Sequence, residues 1–285
     1  MFGPKAGSGG GSGSGDNQLV TVSADIARLY AHRGEVITGV IGTISARANT
    51  VQRAEIHGTF LSGQPIALRI VPAGEDRELR VAGRDGGAAL RAANLYSKVA
   101  GGQIDFYALL ASDANSSVRR GQLILRNFEV RNEAALAELD QKGKPRQAGP
   151  RKEGIVFKRL TLPFTTDAKF VRICNSLIRG DDLGATAEGL IRKSDGAIDI
   201  TGTIIPAYGA NAALGKIPLL GDILTGGGGE GIFGLTYALS GAMAEPRFQV
   251  NPVSAIAPGI LRKFFEFEGA CSSAQKSQKN GDKDG

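Results

Sequence analysis

The chain has 285 residues, 42% hydrophobic and 6% aromatic with no Trp, enough for one large domain or two small ones around an apolar core. No apolar run reaches the ~18 residues of a membrane span, and Met1-Phe2-Gly3-Pro4-Lys5 leads into Gly and Ser without the pattern of a signal peptide. Most of the net charge of +6 lies in one stretch, where Lys142, Lys144, Arg146, Arg151 and Lys152 face Glu153 alone. With Pro145, Gly149 and Pro150, residues 140–153 read as a solvated basic loop. No basic face interleaved with aromatics accompanies it, so nucleic acid is not an expected partner. Glycine is abundant, 41 copies or about 14% of the chain, roughly twice the usual share, without a collagen triplet period.

In chain order, residues 1–23 read as a flexible linker built on the run Gly7 to Gly15. Residues 24–268 form the predicted folded domain, and the polar tail 269–285 has nothing to bury. Period-two patterns dominate the domain. Val36 to Ile44 alternates, followed by Ile66-Leu68-Ile70, Leu79-Val81 and Ile104-Phe106-Ala108-Leu110. A helix is predicted over Gly87 to Val99, and another over Glu133 to Leu139 behind the N-cap Asn132. Val171 to Ile178 alternates as a strand and contains Cys174, a small apolar residue with no histidine nearby to activate it. Asp195-Gly196 suits a tight hairpin turn into the cleanest strand, where Ile198, Ile200 and Ile204 share one face and Asp199, Thr201 and Thr203 the other. Phe233, Leu235, Tyr237 and Leu239 repeat the scheme, as do Phe248 and Val250. Short helical segments are predicted from Ala212 towards Leu224 and from Pro258 to Phe267.

Gly58, Gly202, Gly234 and Gly241 fall inside strand patterns, where glycine marks a bulge, a bend or a close backbone approach. The sheet should therefore bend strongly. Too little helix is predicted to cover its oily face. Either two sheets close on each other, or one curved sheet leaves an apolar trough.

The sequence offers no catalytic constellation. His32 and His57 are the only histidines, and with Cys174 and Cys271 they lack metal-site spacing. His57 is expected on the wet face of a strand. Asp181-Asp182 belongs to a turn after Arg179-Gly180, and in Gly226 to Gly231 the position a phosphate loop reserves for Lys holds Ile232. Neither a cofactor, a metal nor an enzymatic activity is expected.

One segment is distinctive. Gly202-Thr-Ile-Ile-Pro206-Ala-Tyr208 with Asn211, then Ile217-Pro-Leu-Leu-Gly221, Gly226 to Gly231, and Asn251-Pro252 ahead of Ala257-Pro-Gly259 resemble the C-terminal region of the AsmA-like superfamily, in particular the YhdP-type envelope proteins of Gram-negative bacteria. Asp85-Gly-Gly-Ala88, Asn94-Leu-Tyr96, Gly102 and Gly184 to Gly189 match less specifically, and the similarity covers Val36 to Phe267. The resemblance implies a mainly β fold, a long curved antiparallel sheet forming an open groove, with a few short helices near the C-terminal end. It implies a non-enzymatic module that shields phospholipid acyl chains between the inner and outer membranes. Full-length members begin with a membrane-spanning helix that this chain lacks, so the chain resembles their distal end. It is expected on the periplasmic face, anchored to the inner membrane only through N-terminal sequence outside it.

On this reading Ile198, Ile200, Ile204, Phe233, Leu235, Tyr237, Leu239, Phe248 and Val250 line the groove. Ile217, Leu219, Leu220, Ile223, Leu224, Leu261, Arg262, Lys263, Phe264 and Phe265 either face a membrane surface or plug the open end of the sheet. The alternative is a structural or tethering β domain that binds an envelope protein and carries no lipid. It requires the nine groove residues to pack against other side chains.

Overall fold

The computed structural model describes residues 18–48, 50–111, 118–133, 154–181, 183–206 and 235–251. Five strands come first: β1 (Leu19–Tyr30), β2 (Val36–Arg47), β3 (Thr50–Phe60), β4 (Pro65–Ala73) and β5 (Asp76–Gly83). One helix follows, α1 (Gly86–Ala92), and then the two-residue β6 (Val99–Ala100). The remaining strands are β7 (Gln103–Leu110), β8 (Val118–Arg131), β9 (Gly154–Thr166), β10 (Phe170–Gly180), β11 (Leu183–Arg192), β12 (Ala197–Pro206), β13 (Leu235–Ala242) and β14 (Arg247–Asn251). They form one 14-stranded antiparallel sheet in which each strand pairs with the next, except that β6 lies aside against β8. β1 and β14 do not pair, so the sheet is open. It is the long open antiparallel sheet that the resemblance implies, where alternation alone left two closing sheets as the other arrangement.

Each alternating run occupies a strand, and the differences are local. The linker assigned to residues 1–23 ends early, because Leu19 already pairs with Arg47 and Val22 with Ile44. The helix expected to reach Val99 stops at Ala92. Asp85 caps its start by accepting from the Ala88 amide at 2.9 Å, and Asn94 leaves the helix with φ 53°. Asp195 and Gly196 end the connection between β11 and β12, with Gly196 at φ 68° and Ile191 opposite Ile198. The segments Glu133 to Leu139, Ala212 to Leu224 and Pro258 to Phe267 fall, after Glu133, outside the described residues.

The sheet curls. Register shifts interrupt β2–β3, β7–β8 and both ladders of β10, and such bulges bend a strand and raise its twist. The result brings distant turns together. Arg33, between β1 and β2, forms an ion pair with Glu245, between β13 and β14. The Ser97 amide donates to the Ala244 carbonyl at 3.1 Å. The main core lies inside this curl, where Leu90, Val99, Leu125, Phe128 and Phe157 cluster with Ile204 and Tyr237.

Candidate apolar groove

Register decides which side chains share a face, because residues paired directly across antiparallel strands project to the same side. One row crosses the whole sheet. It runs Val22, Ile44, Ala54, Ile70, Leu79, Ala108, Gly121, Phe164, Ile173, Gly189, Ile200, Leu239 and Phe248. Every member is apolar or glycine. A neighbouring row joins Ile66, Gly83, Ile104, Leu125, Leu160, Ile178, Ala185, Ile204 and Leu235. The opposite face is wet: Ser23, Thr43, Glu55, Arg69, Arg80, Tyr107 and Gln122 form one row. Arg120, Thr165, Arg172, Leu190, Asp199, Ser240 and Arg247 form another.

Eight of the nine residues assigned to the groove by sequence fall on the oily face; Phe233 lies outside the described residues. Accessibility is distributed differently from that assignment. Ile198, Ile200, Ile204 and Tyr237 are buried, and Leu239, Phe248 and Val250 pack against them. The cover comes partly from α1 and the turn behind it, since Leu90, Leu95 and Tyr96 join the same cluster. The uncovered part of the face is at the other end. Val22 is 57% and Ile44 37% exposed, against 0% for Ala108, 4% for Ile173 and 8% for Ile200 along the same row. Sequence reasoning overlooked this end. Its signal was the alternation Val20-Thr-Val22-Ser-Ala24-Asp-Ile26, obscured by the Gly/Ser run just ahead of it.

The filled end is held by polar contacts as well as packing. The Tyr237 hydroxyl donates to the Thr186 carbonyl at 2.7 Å, and its ring tilts against Phe248 with centroids 5.3 Å apart. Burial pushes the Tyr237 pKa well up. The Tyr96 hydroxyl donates to Glu133 at 2.9 Å, and Lys98 Nζ donates to the same carboxylate oxygen at 2.8 Å. The Tyr96 pKa is raised by burial first, then by the Glu133 charge beside it.

Reactive chemistry is sparse. His57 stands on the wet face, 3.4 Å from Glu55 and mostly exposed. It borders a shallow depression of about 520 Å³ with Ser23, Asp25, Ile41 and Thr43, which contains no nucleophile paired with a base. Cys174 is disulfide-bonded. Asp181 pairs with Lys158. Among the described residues no group of three or more His, Cys, Asp and Glu could hold a metal. No helix among them is long and apolar enough to cross a membrane. The residues assigned to a membrane surface, Ile217 to Leu224 and Leu261 to Phe265, lie outside the described residues.

The chain matches no protein-family model, and comparison with curated proteins and with solved structures gave no match.

Proposed function

We propose that the chain is a non-enzymatic lipid-binding module of the Gram-negative envelope, shielding phospholipid acyl chains on the oily face of its open sheet, in the manner of the AsmA-like proteins that its sequence resembles. One observation carries the reading: a row of apolar and glycine residues continues through all thirteen consecutively paired strands and emerges uncovered at Val22 of β1 and Ile44 of β2. A contiguous apolar patch of that kind is a contact site for something equally apolar. Each methylene removed from water contributes about 0.8 kcal/mol, so tails bind without a specific pocket and slide between equivalent positions. No covalent step is needed. The disulfide at Cys174 suits an oxidising compartment such as the periplasm.

The scaffold reading retains one supporting observation, the packing of Ile198, Ile200, Ile204 and Tyr237 into closed clusters. Native mass spectrometry with lipid extraction separates the two, comparing the parent chain with an Ile44→Asp, Ile70→Asp variant. Phospholipid carried by the parent and lost from the folded variant is the expected result. A parent that is folded and lipid-free leaves the scaffold reading standing.

A further inference from the structure

The described residues hold two buried charged side chains, Arg77 and Glu133. Glu133 is answered by Lys98 and Tyr96. Among the described residues Arg77 has no carboxylate partner. It is 4% exposed, donates through Nη1 to the Val51 carbonyl and through Nη2 to the Ala111 carbonyl at 2.7 Å, and leaves Nε without a partner. Its chain neighbours serve other cations: Asp76 faces Arg119 at 3.6 Å, and Glu78 accepts from Arg80 at 2.6 Å. A desolvated cation without a counter-charge is costly and exceptional in proteins.

Its place is informative. Along β5, Arg77 shares parity with Leu79 and Val81, so it belongs to the oily face, at the rim where β3 and β5 begin and β7 ends. The β3–β4 ladder stops at Ala54 opposite Ile70. Further along β4, Pro72 has no N–H to offer, and the guanidinium takes up the Val51 carbonyl instead. A planar fork with a donor to spare is the group best shaped for an oxyanion. From it the oily face of β5 runs on for about 20 Å.

We propose that Arg77 is an oxyanion site at the rim of the groove, binding the phosphate of an anionic amphiphile whose tail lies over Leu79 and Val81. The tail half rests on the lipid-binding reading; the oxyanion half does not, since free phosphate presents the same chemistry. Titration of the full chain with dodecyl phosphate and with dodecyl maltoside, below their micellar concentrations, tests both, using the parent, R77Q and R77K. A parallel thermal melt compares inorganic phosphate with chloride at equal ionic strength. R77Q should bind dodecyl phosphate at least tenfold more weakly than the parent while binding dodecyl maltoside equally, with R77K in between. Phosphate should raise the melting temperature of the parent and not of R77Q.

Equal binding of dodecyl phosphate by parent and R77Q overturns the site and leaves the groove. Equal loss of both amphiphiles from R77Q makes Arg77 a clamp for two carbonyls, and overturns it too. Should neither amphiphile bind, a phosphate effect that depends on Arg77 preserves the oxyanion site while the groove reading falls; absence of that effect ends both. If R77Q does not fold, R77K carries the comparison, with at least a threefold loss confined to dodecyl phosphate expected.

Discussion

Gly202 shows how tightly the strands approach in the curled half. A methyl placed there would run into the Thr186 carbonyl and come within 2.7 Å of the Tyr237 ring. Backbone on one side and a buried ring on the other leave nothing free to move. Gly202→Ala should therefore cost about 2–3 kcal/mol, the upper part of the range for overpacking a filled core. Gly184→Ala, whose methyl would sit 3.6 Å or more from any neighbour, should be near neutral in the same urea titration. The sequence marked Gly202 as a bulge, a bend or a close approach, because it interrupts an otherwise β-branched strand, and the neighbouring atoms make it a close approach. Arg77 was not legible: Asp-Arg-Glu-Leu-Arg-Val over 76–81 looks like a wet strand until its parity with Leu79 and Val81 is counted. The buried tyrosines make a second residue-scale prediction. Both Tyr96 and Tyr237 have raised pKa values in the fold. Below the ordinary value of about 10 they are neutral folded or unfolded, and their contribution to stability is fully present. Above it the unfolded chain releases protons that the folded chain keeps, so stability falls by about 1.4 kcal/mol per pH unit for each tyrosine. Urea midpoints between pH 10 and 11 should fall less steeply in Tyr237→Phe than in the parent.

At the scale of elements, α1 is a single short helix with a large consequence. Seven residues would not hold a helix alone in water. It stands because Asp85 caps it, Ser62 holds the second carboxylate oxygen at 2.9 Å, and Gly86, Gly87, Ala88 and Leu90 are buried. Gly87 has no alternative at its position, since a methyl there would strike the Val99 carbonyl. Arg91 adds a tie to Glu35 at 2.6 Å and another to the Val99 carbonyl at 2.9 Å. Asp85→Ala should cost about 1 kcal/mol, the usual loss of an N-cap. Amide exchange should then quicken in α1 and in the turn through Tyr96, leaving β9 and β10 protected. A uniform rise in exchange would mean that α1 is not a separable cover. Sequence periodicity found this helix but extended it to Val99, because Leu90, Asn94 and Leu95 have nearly helical spacing. What ends it is the left-handed Asn94 and the Leu95 amide reaching back to the Leu90 carbonyl at 2.8 Å, a local stop that apolar spacing does not encode.

At the scale of the molecule, the alternation of side chains is local, and so the oily face was readable strand by strand. Which end of that face is covered is not local. It follows from the curl that brings Arg33 to Glu245 and Ser97 to Ala244, contacts between turns more than a hundred residues apart that no window of sequence contains. The groove reading therefore yields a graded prediction. A benzophenone amino acid placed at Ile44 or Ile70 occupies the oily face near the uncovered β1 edge; at Ile204 it occupies the same face inside the buried cluster that Leu90, Leu95 and Tyr96 join; at Glu55 it occupies the wet face. If acyl chains lie along the face, irradiation in cells should cross-link phospholipid strongly at Ile44 and Ile70, and hardly at all at Glu55. Ile204 separates two forms of the idea. Weak cross-linking there means that α1 seals the curled half and lipid stops short of it. Cross-linking equal to that at Ile44 means that the cover opens, with tails replacing Leu95 and Tyr96 against Tyr237 and Phe248. Equal yields at Glu55 and Ile44 would show contact with the membrane as a whole and remove the groove from the account, because a tail shielded on one face cannot reach the other.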